Sequence, residues 1–250
     1  LDNGANINQL NLSNNTALDL SKIHINNSSY KLLDQKGNIK ISNNVKYYIK
    51  GGSIIPVKEY NTIIQIILSS DIDTLKSLLS KYRIDLNDRF LSKDRYSGWT
   101  PLILATYMTN TNIMELLINN GASLDTSVSN KVFLKTGKKA IHIAVEEGCL
   151  DCIRILLEYT NNQSLLVNDT DYRGNTPLFY VCDFNKNIMK PNTNTCNKII
   201  NILIKAGAVI DFTNKQNETA LHYAVLGQKY EDMKLLISKG SKIELKNDKG

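Results

Sequence analysis

Apolar residues recur along the chain at helical spacing, in blocks that polar turns separate. In the block from residue 98 to 125, Leu102, Ala105, Ile113 and Leu117 fall roughly three or four residues apart, or at multiples of that distance. Such spacing puts apolar side chains on one face of a helix. The pattern therefore predicts short helices whose apolar faces pack against neighbouring segments.

The block has the same opening and closing signals wherever it recurs. It opens with Thr-Pro-Leu at 100–102 and 176–178, and with the variants TALDLS, KAIHIA and TALHYA at 16–21, 139–144 and 219–224. It closes with Gly and a small residue, as in NNGASLD at 119–125 and KAGAVID at 205–211. We place the successive starts near 16, 61, 100, 139, 176 and 219, so the chain is built from repeats.

Each signal has a physical reason. Thr before a helix can cap an unpaired N–H, and Pro at the first helical position loses no hydrogen bond there. Gly after a helix permits the left-handed turn that ends it. One such unit cannot bury its own apolar face, so only stacked neighbours form a core.

These motifs resemble the ankyrin repeat, a unit of a β-turn and two helices with the pattern T-P-L-H-x-A. Thr219 to Ala224, TALHYA, matches it well, and the closing glycines Gly207 and Gly240 lie one 33-residue period apart. The resemblance implies an all-α fold, a solenoid of stacked helix-turn-helix units with β-turn fingers. It also implies that His142 and His222 hold their turns by hydrogen bonds.

The repeat spacing divides the chain into three parts. Residues 1–39 are expected to hold one partial and one complete repeat, with Leu32 and Leu33 as the apolar pair of a second helix. Residues 40–60 have no repeat signature and are expected to be an irregular linker or insertion that interrupts the stack. Residues 61–250 are expected to be one array, with the next repeat cut at 250, so we expect a longer parent protein.

Charge and hydropathy narrow the classes of partner. The net charge is +6, but lysine and arginine are spread over residues 1–60, 61–138 and 139–250 without a basic block. This distribution favours solvated surfaces over nucleic-acid binding. No stretch of 18 apolar residues indicates a membrane span. We expect no nucleic-acid and no membrane partner.

The residues that could support catalysis or metal binding have structural explanations. Cys149 and Cys152 form a C-x-x-C pair, but a Cys₄ zinc site would also need Cys182 and Cys196 to converge. Cys152 falls near a small apolar core position, so we interpret the pair as structural. No phosphate-binding loop is present, because KGGS at 50–53 lacks the P-loop continuation. We expect no cofactor, no metal and no enzymatic activity in this chain.

The resemblance also implies where a partner would bind. Ankyrin proteins contact partners through the turn residues beside the Gly and through the exposed end of the first helix. Tyr, Trp and Arg are frequent binding hot spots, and the only Trp of the chain lies at such a turn. The candidate residues are Tyr96, Trp99, Tyr107, Met108, Lys138, Glu146, Tyr172, Arg173 and Phe184. For the aromatic residues near 98, burial under the lengthened turns at 88–97 and 126–136 is an equally weighted alternative.

The sequence thus predicts a monomeric scaffold that binds a protein partner through its concave face and fingers. The alternative is that the array is the targeting arm of a larger enzyme or of a secreted, host-interacting effector. Four cysteines without a disulfide framework indicate an intracellular, reducing compartment, with the cytoplasm as our expectation and delivery into a host cell as the alternative.

Overall fold

The computed structural model describes residues 31–33, 39–41, 47–50, 53–81, 84–90, 96–128, 136–182 and 193–250, and of residues 31–61 only the backbone. The chain divides into two compact units. The first comprises residues 1–62 and 81–84, and the second comprises residues 63–80 and 85–250.

The first unit contains two antiparallel strand pairs. β1 (Lys31–Leu33) pairs with β2 (Ile39–Ile41), and β3 (Tyr47–Lys50) pairs with β4 (Ser53–Pro56). The sequence between β3 and β4 is Gly51-Gly52, a dipeptide that two-residue hairpins favour.

These strands correct two expectations. Leu32 and Leu33 lie in a strand and not in the second helix of a repeat. Residues 40–60, expected to be irregular, include strand residues and the start of the first described helix at Val57. Apolar pairs occur in strands as well as helices, and a short apolar run does not distinguish the two. The expected partial repeat at the N-terminus lies outside the described residues.

From residue 57 onward the elements are helices. They are α1 (Val57–Leu68), α2 (Ile72–Lys81), α3 (Pro101–Tyr107), α4 (Thr111–Asn119), α5 (Ala140–Glu146), α6 (Leu150–Tyr159), α7 (Gln163–Val167), α8 (Pro177–Cys182), α9 (Thr193–Lys205), α10 (Ala220–Leu226) and α11 (Tyr230–Ser238).

Eight helices of the second unit pack in two layers. The first helices of successive repeats contact one another in the order α3, α5, α8 and α10, and the second helices follow in the order α4, α6, α9 and α11. Each first helix also packs on the second helix of its own repeat. Leu102, Ala105, Ile113 and Leu117 are all buried, as their spacing predicts. This is the all-α ankyrin solenoid, in which each repeat buries the apolar face of its neighbour.

Side chains cap the first helices as the motif predicts. Thr100 Oγ1 accepts the N–H of Ile103 at 3.4 Å, and Pro101 occupies the first helical position. His142 Nδ1 accepts the N–H of Lys139 at 3.2 Å. His142 Nε2 lies 3.1 Å from the carbonyl oxygen of Asp169 in the following turn, so this histidine holds two consecutive repeats together.

An asparagine at the end of a repeat also holds the closing turn of the next one. Asn87 Nδ2 donates to the carbonyl oxygen of Gly121 at 3.2 Å, and Asn168 Nδ2 donates to that of Gly207 at 2.8 Å. Both glycines have positive φ, 94° and 95°, which is why Gly ends these helices. Within the described residues, no helix combines the length and the apolar character that crossing a bilayer requires.

Candidate protein-binding surface

Two turns between the helix pairs form compact fingers, which we define as residues 171–175 and 214–218. In the first finger, Asp171 Oδ1 accepts the N–H groups of Arg173 and Asn175, both at 2.8 Å. In the second, Asn214 Oδ1 accepts the N–H groups of Gln216 and Glu218, both at 2.9 Å. One side chain therefore fixes the backbone of each finger tip.

Backbone hydrogen bonds join neighbouring fingers. Tyr172 N–H donates to the carbonyl oxygen of Thr136 at 3.0 Å, and Lys215 N–H donates to that of Arg173 at 3.0 Å. The tip residues Tyr172 and Arg173 are thus held on both sides. A surface fixed in this way loses little conformational entropy when it binds a partner.

A polar network connects α5, one of the first helices, to the finger at residues 171–175. Lys138 lies just before α5, and its Nζ lies 2.7 Å from Oε1 of Glu146, the last residue of α5. The same ammonium lies 4.3 Å from the centroid of the Tyr180 ring, and Tyr180 Oη donates to Asp171 Oδ2 at 2.6 Å. Only 8% of the Glu146 side chain and 18% of the Lys138 side chain are exposed. These two candidate residues therefore form an ion pair with each other. Because both side chains are mostly buried, they offer a partner little exposed area.

The aromatic residues near Gly98 are not an exposed patch. Tyr96 is buried, with 6% of its surface exposed. Trp99 and Tyr107 are partly buried and pack against a core cluster of Ile103, Val128 and Ile143. Trp99 also makes edge contacts with Tyr96 and Tyr107, with centroids 5.6 and 5.2 Å apart. Of the two alternatives for these rings, the structure supports burial, because Tyr96 is buried and because Trp99 and Tyr107 pack against the cluster that contains Val128.

The remaining candidates fall in different environments. Tyr172 is 46% exposed and Arg173 is also exposed. Met108 is partly buried at the end of α3, where its N–H donates to the carbonyl oxygen of Leu104. Phe184 lies outside the described residues. Of the predicted set, Tyr172 and Arg173 are the pair most open to a partner.

Sequence reasoning did not identify Val225 and Tyr230, two exposed apolar side chains beside the candidate Leu226 near the end of α10, as candidate sites. Val225 and Leu226 end this helix and are 52% and 57% exposed, and Tyr230, at the start of α11, is 66% exposed. It also missed Asp171 and Asn214, which fix the fingers. The signal for these two was present, since DYRGN and NKQNE both place an Asx residue three positions before a Gly or Asn, the residue types that accept a positive φ.

His142, Cys149 and Cys152 each lie at the cap or in the first turn of a helix. His142 is buried, and this burial lowers its pKa to about 4, although Asp171 and Asp169 act in the opposite direction. No cluster of three His, Cys, Asp or Glu side chains that could hold a metal ion occurs among residues 62–81, 84–90, 96–128, 136–182 and 193–250. Cys149 and Cys152 form a disulfide in the structure, and Cys152 is fully buried as predicted.

Comparison with known proteins agrees with this architecture. The sequence profile described as ankyrin repeats (3 copies) matches residues 63–169, 124–191 and 163–247. An ankyrin repeat protein of Fowlpox virus is 29% identical over 171 residues, which cover 67% of this chain and 44% of the relative.

Two further relatives are, by name, an NF-kappa-B inhibitor and a probable kinase. NF-kappa-B inhibitor zeta of Homo sapiens is 26% identical over 176 residues, which cover 62% of this chain and 23% of that protein. A probable serine/threonine-protein kinase of Dictyostelium discoideum is 34% identical over 127 residues, which cover 51% of this chain and 12% of the kinase. The chain thus spans less than half the length of each of these relatives.

The helix layers, the capped first helices, the glycine turns and the matched profile agree with one another. Ankyrin repeats are in general protein-interaction modules, which present extended binding surfaces. The chain belongs to the ankyrin repeat family.

Proposed function

We propose that the chain is a protein-interaction scaffold that binds its partner with the finger tips and the exposed ends of the first helices. The central part of this surface is the pair Tyr172 and Arg173, and Lys215 and Leu226 extend it toward the C-terminus. All four residues are exposed. The surface carries no catalytic role in this proposal.

The observation that supports this proposal most strongly is that the side chains of Tyr172 and Arg173 are exposed while their backbone is held in place. Hydrogen bonds to Thr136 and Lys215 hold the finger on both sides, and Asp171 holds it from within. Tyrosine and arginine supply large contact areas and directed hydrogen bonds, and they are enriched among residues that dominate binding energy. A rigid, exposed Tyr-Arg pair fits this role better than the buried Tyr96 and the partly buried Trp99.

The test is partner capture followed by titration with a double variant, Tyr172→Ala with Arg173→Ala. We expect the binding free energy for a captured protein to weaken by about 2–4 kcal/mol, and the midpoint of thermal unfolding to change little. A matched control exists on the second-helix layer, because Tyr159 and Arg154 of α6 are also exposed. The double variant Tyr159→Ala with Arg154→Ala should bind as the unaltered chain does. Equal losses in both variants would contradict the proposal.

A second candidate function is that this scaffold targets a larger enzyme or effector to its substrate. The similarity to a probable kinase favours this candidate, since the matched segment covers only 12% of that longer protein. The sequence of the full-length gene distinguishes the two, because the second candidate requires a catalytic domain outside the repeats. An intracellular, monomeric scaffold remains our proposal for compartment and assembly, and sedimentation of the purified chain tests the monomer.

A further inference from the structure

The four cysteines of the chain fall into two groups. Cys182 and Cys196 are buried on α8 and α9 and carry no disulfide among the described residues. Cys149 and Cys152 are joined by a disulfide at the start of α6. The binding surface proposed above makes no use of this pair.

Local helix geometry alone brings the two sulfurs together. Cys149 is the N-cap residue of α6 and Cys152 lies in its first turn, with their Cα atoms 5.2 Å apart. That separation falls within the range that disulfides accept. The N–H of Cys152 donates to Cys149 Sγ at 3.1 Å. No rearrangement of the repeat stack is needed to form or to break the bond.

The two sulfurs differ in access. Cys152 is fully buried, whereas Cys149 is half-buried at the turn between α5 and α6. An external thiol or disulfide can therefore reach only Cys149. The N–H hydrogen bond and the positive end of a ten-residue helix both favour negative charge on this sulfur. Two acidic residues lie two positions from Cys149: Asp151, which is paired with Arg154 at 2.6 Å, and Glu147, the C-cap residue of α5.

A bond between residues three apart also constrains the unfolded chain less than a disulfide that closes a long loop. The fold therefore depends little on it. The cap of α6 survives reduction, because a thiol sulfur accepts the same N–H hydrogen bond. Both redox states are thus compatible with the ankyrin stack, which is the requirement for a reversible site.

We propose that Cys149 and Cys152 form a reversible dithiol–disulfide site that exchanges with low-molecular-weight disulfides. The Cys149 thiolate attacks the oxidant RS–SR, forms a mixed disulfide and releases RS⁻. Cys152 then attacks Cys149 Sγ, and its thiol proton passes to the departing RS sulfur, which leaves as RSH. In total, the protein dithiol and RS–SR give the protein disulfide and two RSH.

The experiment equilibrates the chain in buffers of graded reduced and oxidised glutathione. Acid quenching, alkylation and peptide mass spectrometry then count the free thiols at each cysteine. We expect the 149–152 disulfide to form in oxidised buffer and to open in excess reduced glutathione, with the helical circular dichroism unchanged. Cys182 and Cys196 should stay reduced throughout.

Three variants sharpen the test. Cys152→Ser should trap a glutathione adduct at Cys149, whereas Cys149→Ser should leave Cys152 unmodified in the folded chain. The matched control, Cys182→Ser with Cys196→Ser, should leave the titration unchanged. The proposal is overturned if the 149–152 disulfide fails to form in excess oxidised glutathione, or if it opens only after the chain unfolds. It is equally overturned if Cys152→Ser folds and forms no adduct.

Discussion

Replacing Trp99 by Ala should destabilise the fold. Trp99 packs between Tyr96 and Tyr107 and against the cluster of Ile103, Val128 and Ile143. Its carbonyl oxygen also accepts the N–H of Phe90 at 2.7 Å, which places the ring at the base of the turn. The substitution leaves this backbone bond in place and removes the ring, so the effect reports side-chain packing.

The size of the effect follows from burial and ring contacts. Truncating a buried Trp to Ala costs about 3–5 kcal/mol, and an aromatic edge contact contributes about 0.5–1.5 kcal/mol beyond its buried area. Because part of the Trp99 surface is exposed, we expect the free energy of unfolding to fall by about 2–4 kcal/mol. The loss should be confined to the repeats next to α3, since each repeat contacts only its neighbours.

The assay is urea unfolding followed by far-ultraviolet circular dichroism, which does not depend on the lost indole. Tyr230→Ala is the matched control, because this ring is 66% exposed, and it should change stability by less than about 0.5 kcal/mol. If the Trp99→Ala variant is as stable as the Tyr230→Ala variant, the conclusion that the Trp99 ring packs against the core is refuted. That result would return Trp99 to the set of candidate binding residues.

Three further predictions concern turns and buried charges. Gly137→Ala should destabilise the chain by more than Gly121→Ala, as thermal melts will show. Both glycines have positive φ, but a Cβ at Gly137 would lie 2.7 Å from the Tyr172 ring, whereas one at Gly121 meets nothing within 4 Å. The free energy of unfolding should fall as pH drops from about 6.5 to about 4, by about 3 kcal/mol, because His142 binds a proton more readily in the unfolded chain. Urea titrations across this range should show a flatter profile for His142→Gln. Burial raises the pKa of Asp232, so its charge opposes folding at neutral pH, and Asp232→Asn should raise the midpoint of thermal unfolding at pH 7. That gain should shrink as the carboxyl group becomes protonated at lower pH.

The repeat architecture could be predicted from the sequence because its signals are local. Thr100 and His142 cap their own helices, and Gly121 and Gly207 end theirs, so the residue type reports the backbone directly. The apolar spacing gives the buried faces in the same way. These features need no knowledge of distant contacts.

The candidate surface was harder to predict because exposure depends on distant segments. Trp99 has the type and position of a hot-spot residue, yet Val128, 29 residues later, packs against it. Lys138 and Glu146 pair with each other, which neither residue reveals alone. Likewise, Leu32 and Leu33 match the apolar pair of a repeat but lie in a strand. The sequence shows which residues suit a partner, whereas packing decides which of them a partner can reach.

Hydrogen exchange measured with and without a captured protein partner tests the central claim most directly. If the fingers and first-helix ends bind the partner, amides at 172–175, 215–218 and 225–227 should gain protection. Amides of the second helices α4, α6 and α11 should exchange at unchanged rates. Protection concentrated on that second-helix layer, with none at the fingers, would contradict the account.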